Sequence, residues 1–351
     1  MALVNGLIGT GTAAAAAPYQ AIGAASHTLE SIMYDLCSQW KVPFIALSGK
    51  SDRTTSSQRF AVASYYQDDP INNTSGTTIM NPVVTVSEQT STIAQAPVAF
   101  NTEQSFNVVQ LVTATVGATY LSESSSDKLT PLSVAPVANE GRTQSILADQ
   151  IMRKLRVVAR WMERSALYQT YQEPTSPTVM GKTRGIISLM SQTVAQPNTL
   201  EVPNDVTGTE LQDAIETLIV AMDINGAEFT RPVLMCSPLT AKLISQAYAT
   251  NTNPITLLDQ DRFLAGWNYN LIITSVGVLP VIRNRFMVND DLLLVDFDKV
   301  GNVWLPVPGK GNLFVEELAK RGAASELMIY GQWGLDHGLW NHHGYIKFVA
   351  P

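Results

Sequence analysis

Charge is what this sequence has least of. Lys, Arg, Asp and Glu together make up 15% of its 351 residues, against about 25% in an ordinary soluble domain. Neutral polar side chains must cover the surface instead, and a surface with few repelling charges suits extensive protein contact. The net charge of −7 argues against a dedicated nucleic-acid binder, although a local basic stripe is compatible with it. Cysteine is scarce too. Cys37 and Cys236 lie far apart and make no disulfide framework, so a reducing compartment is expected. Residues 1–25 contain no Lys or Arg, which removes the charged start of a signal peptide. No run reaches 18 apolar residues, the length at which a membrane-spanning helix is read. The expectation is an intracellular, soluble chain with no membrane partner.

What is present is enough apolar residue, 45% of the chain, for cores of more than one unit. The opening GLIGTGTAAAAAPYQAIGAA is small and Gly-rich and reads as a mobile arm. From Thr28 to Trp40, Leu29, Ile32, Met33, Leu36 and Trp40 recur at helical spacing, and Pro43 stops the pattern. Residues 46–135 change texture: Arg59 and Lys128 are the only basic residues between Thr54 and Gly141. In NVVQLVTATVGATYL, Val108, Val112, Ala114 and Val116 share one parity, and Thr113, Thr115 and Thr119 the other, as in a strand. A second such run, PVVTVSEQ, starts at Pro82. Two strands with so little apolar surface are marginal as an isolated hairpin, so the hairpin is expected to rest on another chain.

The clearest helix runs from Thr143 to about Tyr171. Ala148, Ile151, Met152, Leu155, Val158, Ala159, Met162 and Ala166 step along one face, and Arg153, Arg156, Arg160 and Arg164 along the other. The arginine row reads as a solvated face with local ion pairs to Asp149 and Glu163, or as a contact with an acidic neighbour or with phosphates. After the loop QEPTSPTVMGKTRG, strand-like segments lead to TGTELQDAIETLIVAMDING. There Thr207 and Glu210 have capping-box spacing, Leu211, Ile215, Leu218, Ile219 and Met222 make a stripe, and Gly226 stops the helix. The strand RPVLMC, a helix opening at Ser237-Pro238, and strands around NLIITSV, VLPVI, DLLLVDF and NVWLPV follow. ELMIYGQWGLDHGLW and HGYIKFV read as two strands joined by a Gly-rich turn. The class is α+β.

Chemical motifs are weak. Gly9-Thr10-Gly11-Thr12-Ala13-Ala14 imitates a dinucleotide fingerprint without its flanking strand and helix. Gly49-Lys50-Ser51 imitates the end of a phosphate loop, but Phe44 stands where that loop needs Gly. No nucleophile elbow is present, and neither Cys neighbours a His in sequence. Three of the four histidines fall in Gly-Leu-Asp-His-Gly-Leu-Trp-Asn-His-His-Gly, residues 334–344. Metal ligands converge at spacings of two on a strand, or three and four on a helix. His337, His342 and His343 follow neither rule, so hydrogen-bonded turn histidines are expected, with no metal and no cofactor.

The order of segments resembles the major capsid proteins of tailed bacteriophages, the Hong Kong 97-type fold, in the branch like that of phage SU-ten. The parts are a polar β hairpin, NEGRTQSILADQIMRKLRVVARWMERSAL like the family's spine helix, GKTRGIIS, TRPVLMCSPLTAKLIS, RNRFMVNDDLLLVDFDKVGNVWLP, and ELAKRGAASELMIYGQWGLDHGLWNHHG before a last strand. In the family that stretch has a Gly-Glu-x-x-Leu-Glu core ending in His-Gly; Gly331, Leu335, Asp336, His343 and Gly344 match, and Gln332 departs from the usual Glu.

The resemblance implies a non-enzymatic shell protein with an N-terminal arm (1–45), an extended loop (46–135), a peripheral domain (136–205, with a spine helix over 143–171), an axial domain (206–287) and a return to the peripheral domain (288–351). It implies pentamers and hexamers of an icosahedral head assembled in the host cytoplasm around double-stranded DNA. Portal, scaffolding or cement proteins are the other partners implied. Arg153, Arg156, Arg160 and Arg164 are the candidate inner-surface or inter-subunit basic face. Lys50 and Lys128 only flank the loop in which some relatives place a cross-linking lysine, so no such bond is assigned. Two alternatives are a same-fold cellular nanocompartment and, from another class, a metal-dependent hydrolase using Asp336, His337, His342 and His343.

Overall fold

The computed structural model describes residues 28–50, 53–62, 106–121, 146–176, 179–192, 198–203, 206–250, 263–264, 267–268, 270–287, 291–319 and 322–349. The opening arm to residue 27, the PVVTVSEQ run and the Gly9–Ala14 motif lie outside them. The chain divides into two compact units, 1–58 with 109–163 and 303–334, and 59–108 with 164–302 and 335–351.

In the first unit, helix α1 (Leu29–Cys37) starts at Thr28, whose hydroxyl accepts the Ser31 N–H at 3.2 Å. Pro43 does end this segment, but it also opens a new helix, α2 (Pro43–Ser48). Proline is well placed there because the first amide of a helix has no internal partner to lose. Helix α3 (Ile146–Tyr168) is the predicted long one, about 34 Å at 1.5 Å per residue. Its C-terminal end falls three residues short of the expected Tyr171, because Gln172 has already turned into an extended bridge with Lys182. Residues 146–163 of α3 belong to the first unit and 164–168 to the second.

Strands β1 (Arg59–Ala61) and β2 (Phe106–Val108) pair antiparallel, so residues 62 and 105 begin and end a span whose two roots lie side by side. Strand β3 (Gln110–Thr119) is the predicted alternating strand, with Val112, Ala114, Val116 and Ala118 buried. This half of the expected hairpin has a partner in its own chain: β3 pairs over Gln110–Thr119 with Trp333–Ala324, while the PVVTVSEQ half lies outside the described residues. Parity in a sequence says which side of a strand is apolar, but a partner some 200 residues away leaves no local mark.

The remaining strands are β4 (Thr199–Pro203), β5 (Pro232–Cys236), β6 (Phe263–Leu264), β7 (Trp267–Asn268), β8 (Asn270–Thr274), β9 (Gly277–Arg283), β10 (Leu292–Asp296), β11 (Gly301–Trp304), β12 (Leu313–Glu317), β13 (Ala324–Asp336) and β14 (His343–Val349). In the four-stranded sheet β13 is central, taking β12 and β3 on opposite edges and joining β11 as well. Leu327, Ile329 and Trp333 point from β13 to the buried side, with Val315 and Val116 beside them. Gly331 shares that side because there is no room for more. A Cβ there would stand 2.8 Å from Leu313 Cδ1 and 3.0 Å from Trp304 Cζ3.

The second unit is built on a six-stranded mixed sheet in the order β4-β14-β10-β5-β9-β8. Two of its pairings, β4 with β14 and β5 with β9, are parallel. Helix α4 (Ile186–Gln192) stands where the sequence read as strand-like. A short apolar run such as IISLM does not reveal its period. Helix α5 (Gly208–Ile224) has the predicted capping box: Thr207 Oγ1 accepts the Glu210 N–H, and Glu210 Oε2 accepts the Thr207 N–H at 2.8 Å. Its stripe, Leu211, Ile215, Leu218, Ile219 and Met222, meets Leu234, Ile272, Leu279, Leu292, Leu294 and Ile346 of the sheet. Helix α6 (Pro238–Thr250) begins where expected, with Ser237 Oγ accepting the Thr240 N–H at 3.2 Å. β13 and β14 follow one another through a Gly turn and a 3-10 turn (Trp340–His342), yet they join different sheets and do not pair with each other. The α+β class is as expected.

Candidate functional site

Two places were singled out by the sequence: the histidine turn and the arginine row. In the turn, all three histidines are buried. His337 Nδ1 lies 2.7 Å from the Gly338 carbonyl oxygen and His343 Nε2 lies 2.6 Å from that of His337. A carbonyl only accepts, so each of these ring nitrogens carries the proton and donates it. Burial is the main cause that depresses both rings, His337 to about 3 and His343 to about 4. The hydrogen bonds to the Gly338 and His337 carbonyls oppose burial by favouring the protonated rings; Arg184 and His343 press His337 down again, and His342 does the same to His343, against a smaller opposing pull from Asp296. Asp336 turns its Oδ1 to the Gly338 N–H at 3.3 Å. Among the described residues, no group of three or more His, Cys, Asp or Glu converges as a metal site would. These two hydrogen bonds fix both rings against the backbone of the turn, as in hydrogen-bonded turn histidines.

The rest of the turn is held by asparagines that no motif announced. Asn198 Nδ2 donates to the Asn341 and His343 carbonyls at 3.0 and 3.2 Å, Asn225 Nδ2 donates to Asn198 Oδ1 at 2.8 Å, and the Tyr345 N–H donates to the Asn198 carbonyl. Gly344 then presses β14 against α5; a Cβ on it would stand 2.5 Å from Met222 Sδ and 2.9 Å from Leu218 Cδ2. Asn107 does equivalent work at the root of β2. Fully buried, it donates through Nδ2 to the Arg184 and Leu335 carbonyls and accepts through Oδ1 the N–H groups of Val108 and Arg184. Its only signal in the sequence is a polar residue between Phe106 and Val108.

The arginine row divides. Arg153, Arg156 and Arg164 are exposed and Arg160 is half-buried, with Trp161 beside them 55% exposed. Glu163, expected as one of their solvated partners, is instead 0% exposed, and its two oxygens accept the amides of Phe44 and Ile45 at 2.9 Å each. The side chain of Asp149 lies outside the described residues. Both cysteines are buried and free. Burial raises both thiols, Cys236 to about 12, which leaves them protonated and unreactive. Among the described residues no helix is long and apolar enough to cross a membrane.

Sequence comparison then supplies the class of protein. Residues 26–350 match the family model of the SU10 major capsid protein. The chain belongs to that family: it is a structural subunit of an icosahedral phage capsid. The resemblance to Hong Kong 97-type capsid proteins of the SU-ten-like branch is thereby borne out. None of the curated proteins matches it by sequence. Solved structures similar to it include the cyanophage A-1(L) capsid asymmetric unit, with a TM-score of 0.48 and 10% identity over 69% of this chain and 77% of that one. The holo-SrpI encapsulin complex from Synechococcus elongatus PCC 7942 gives 0.46 and 12%, over 68% and 74%. The capsid of cyanophage P-SCSP1u gives 0.44 and 12%, over 85% and 86%.

Proposed function

We propose that this chain builds a closed shell of pentamers and hexamers around double-stranded DNA, with no catalytic role of its own. The observation that carries the reading is the family match across residues 26–350. In this reading residues 1–45 serve as an arm and 46–135 as an extended loop. Residues 136–205 and 288–351 form a peripheral domain and 206–287 an axial one. These are divisions by role in a shell, and they cut the chain differently from its two compact units. The adjacent roots of the 62–105 span, held by β1 and β2 and by the Arg59–Glu173 ion pair at 3.0 Å, support a loop that leaves and returns at one place.

Arg153, Arg156, Arg160 and Arg164 present a basic face to packaged DNA or to a neighbouring subunit; the exposure of three of them supports such a contact. Assembly takes place in the host cytoplasm, with portal, scaffolding or cement proteins as further partners. A single contact between copies can be weak, because many act together in a closed symmetry. Negative-stain microscopy of the expressed full chain tests the reading. Uniform polyhedral shells, rings or tubes are expected, and a protein that stays monomeric at high concentration overturns it.

A further inference from the structure

We propose that the second compact unit carries two complementary faces, an acidic apolar stripe on α5 and a basic apolar cluster where α6 begins, that join head to tail between neighbouring copies of this chain. The inference rests on the capsid reading and adds to it the surfaces through which copies meet.

Helix α5 contains no Lys or Arg. Opposite its core stripe it presents Asp213, Glu216, Val220, Asp223 and Ile224 at spacings of three and four, one continuous outer face. Glu216 is occupied within the chain, accepting Ser275 Oγ–H at 2.6 Å. Asp213 and Asp223 are not: the ion pairs among the described residues involve Arg59, Lys299, Lys310 and Lys347, and none reaches either carboxylate. Between these charges Val220 is 49% and Ile224 58% exposed. β-branched side chains lower helix propensity, and on a solvated face they gain nothing in return, whereas under a partner they supply the apolar centre of an interface.

The second face forms because parallel strands β5 and β9 end together. Cys236 lies beside Arg283, and the Asn284 N–H donates to the Cys236 carbonyl at 2.8 Å. The residues that follow each strand therefore emerge side by side: Leu239 and Lys242, one turn apart on α6, and Arg285 after Arg283. Leu239 is 62% exposed, and Lys242, Arg283 and Arg285 are exposed as well. Helix α6 contains no Asp or Glu, and none of the three cations joins an ion pair among the described residues. Each face alone would pass for solvated surface. Together they are opposite in sign and alike in their exposed aliphatic centre, and a second copy supplies both at once. Two different patches meeting make a heterologous contact, which generates rings where the rotation closes. A polyanion would use the basic cluster and ignore α5.

The test is a charge swap in the full-length chain, read by sedimentation of assembled material at low salt. D213K/D223K and K242E/R285E should each lower the assembled fraction about tenfold, roughly 1.4 kcal/mol per contact, while the variant carrying all four substitutions recovers it. Far-ultraviolet circular dichroism and a cooperative melt establish that each variant is folded; should one not be, D213K with K242E replaces the larger set. Unchanged assembly in both half-swaps overturns the pairing. So does loss in both without recovery in the combination, and so does sensitivity of the basic half alone, which would assign that cluster to a polyanion. All of these leave the capsid reading standing. Only a wild-type chain that forms no assemblies removes that reading itself.

Discussion

The carboxylate of Glu163 accepts the backbone N–H of Phe44 through Oε1 at 2.9 Å, and its other oxygen takes the next amide, that of Ile45, at the same distance. Helix α3 thus caps helix α2 from 118 residues away. The first amides of a helix have no internal acceptor, and the cap usually comes from the residue just before. Here that residue is Val42, which makes no such bond. Replacing Glu163 with Gln turns an N–H toward one of the two amides and should cost about 1–3 kcal/mol; Ala strands both donors and opens a cavity, for about 3–5 kcal/mol. Urea unfolding of the unassembled subunit measures both, and a loss for Ala no larger than that for an exposed change such as Arg156→Ala would refute the cap.

Asn107 offers a sharper chemical distinction. Its Nδ2 faces two carbonyl oxygens, those of Arg184 and Leu335, and its Oδ1 faces two N–H groups. Asn107→Asp keeps the shape and loses both donors, placing a carboxylate against two acceptors in a buried site. A loss of about 3 kcal/mol or more is expected. Hydrogen exchange at the Arg184 amide should quicken in proportion, and an Asp variant as stable as the parent would show that the network is not doing this work.

The buried histidines set an acid limit. His337 and His343 are depressed in the folded chain to about 3 and about 4, while an unfolded histidine titrates near 6.5. Below pH 6.5 the unfolded chain binds protons that the folded chain refuses. Stability is therefore full above about pH 6.5 and is lost progressively as pH falls toward about 4. The urea midpoint of the subunit should drop over that window. His343→Gln, which keeps a donor for the His337 carbonyl and cannot charge, should flatten the drop, and an equally steep profile in that variant would assign the acid loss to other groups.

Gly344 is a packing constraint with a built-in control. An added Cβ meets Met222 Sδ and Leu218 Cδ2, and the β14 backbone cannot retreat because Gly344 is paired opposite Leu294 in the middle of the sheet. Gly344→Ala should cost about 1–3 kcal/mol. Adding Met222→Ala removes the obstructing sulfur, so the two changes should cost less together than in sum, a coupling of about 0.5 kcal/mol or more. Strict additivity in thermal melts would count against the close approach.

Local rules carried these assignments as far as they reach. The Thr207–Glu210 capping box, the α5 stripe, the Ser237-Pro238 helix start and the alternation of β3 are all short-range signals, and the structure has each of them. What the sequence concealed was at long range. The pairing of β3 with β13, the reach of Glu163 to Phe44 and three of the four bonds of Asn107 join residues separated by more than 70 positions, and nothing local marks a partner so distant. The burial of Glu163 goes unannounced for that reason. A Glu between arginines on a helix looks like a surface ion pair until a second helix is placed beside it. The histidine turn went the other way: its spacing points to hydrogen-bonded turn histidines, and the bonds of His337 and His343 to the Gly338 and His337 carbonyls are of that kind.

The arginine row is where stability and function should separate. Arg156 is exposed on α3, one turn from Arg153 and Arg160 and near the exposed Trp161, so Arg156→Glu should change the subunit's unfolding free energy by no more than about 0.5 kcal/mol. Paired with Arg160→Glu it reverses the centre of the row, replacing two positive charges with two negative ones. Contact with phosphate scales with the number of cations engaged, and losing two should lower the salt dependence of DNA association by about two phosphate contacts. Contact with an acidic neighbour predicts a different failure, shells that do not form at all. Electron microscopy separates the two, since empty but closed particles point to DNA and absent particles to a neighbouring subunit. Particles that close and fill normally would take the row out of both roles and return it to the solvated face that arginines on an amphipathic helix most often occupy.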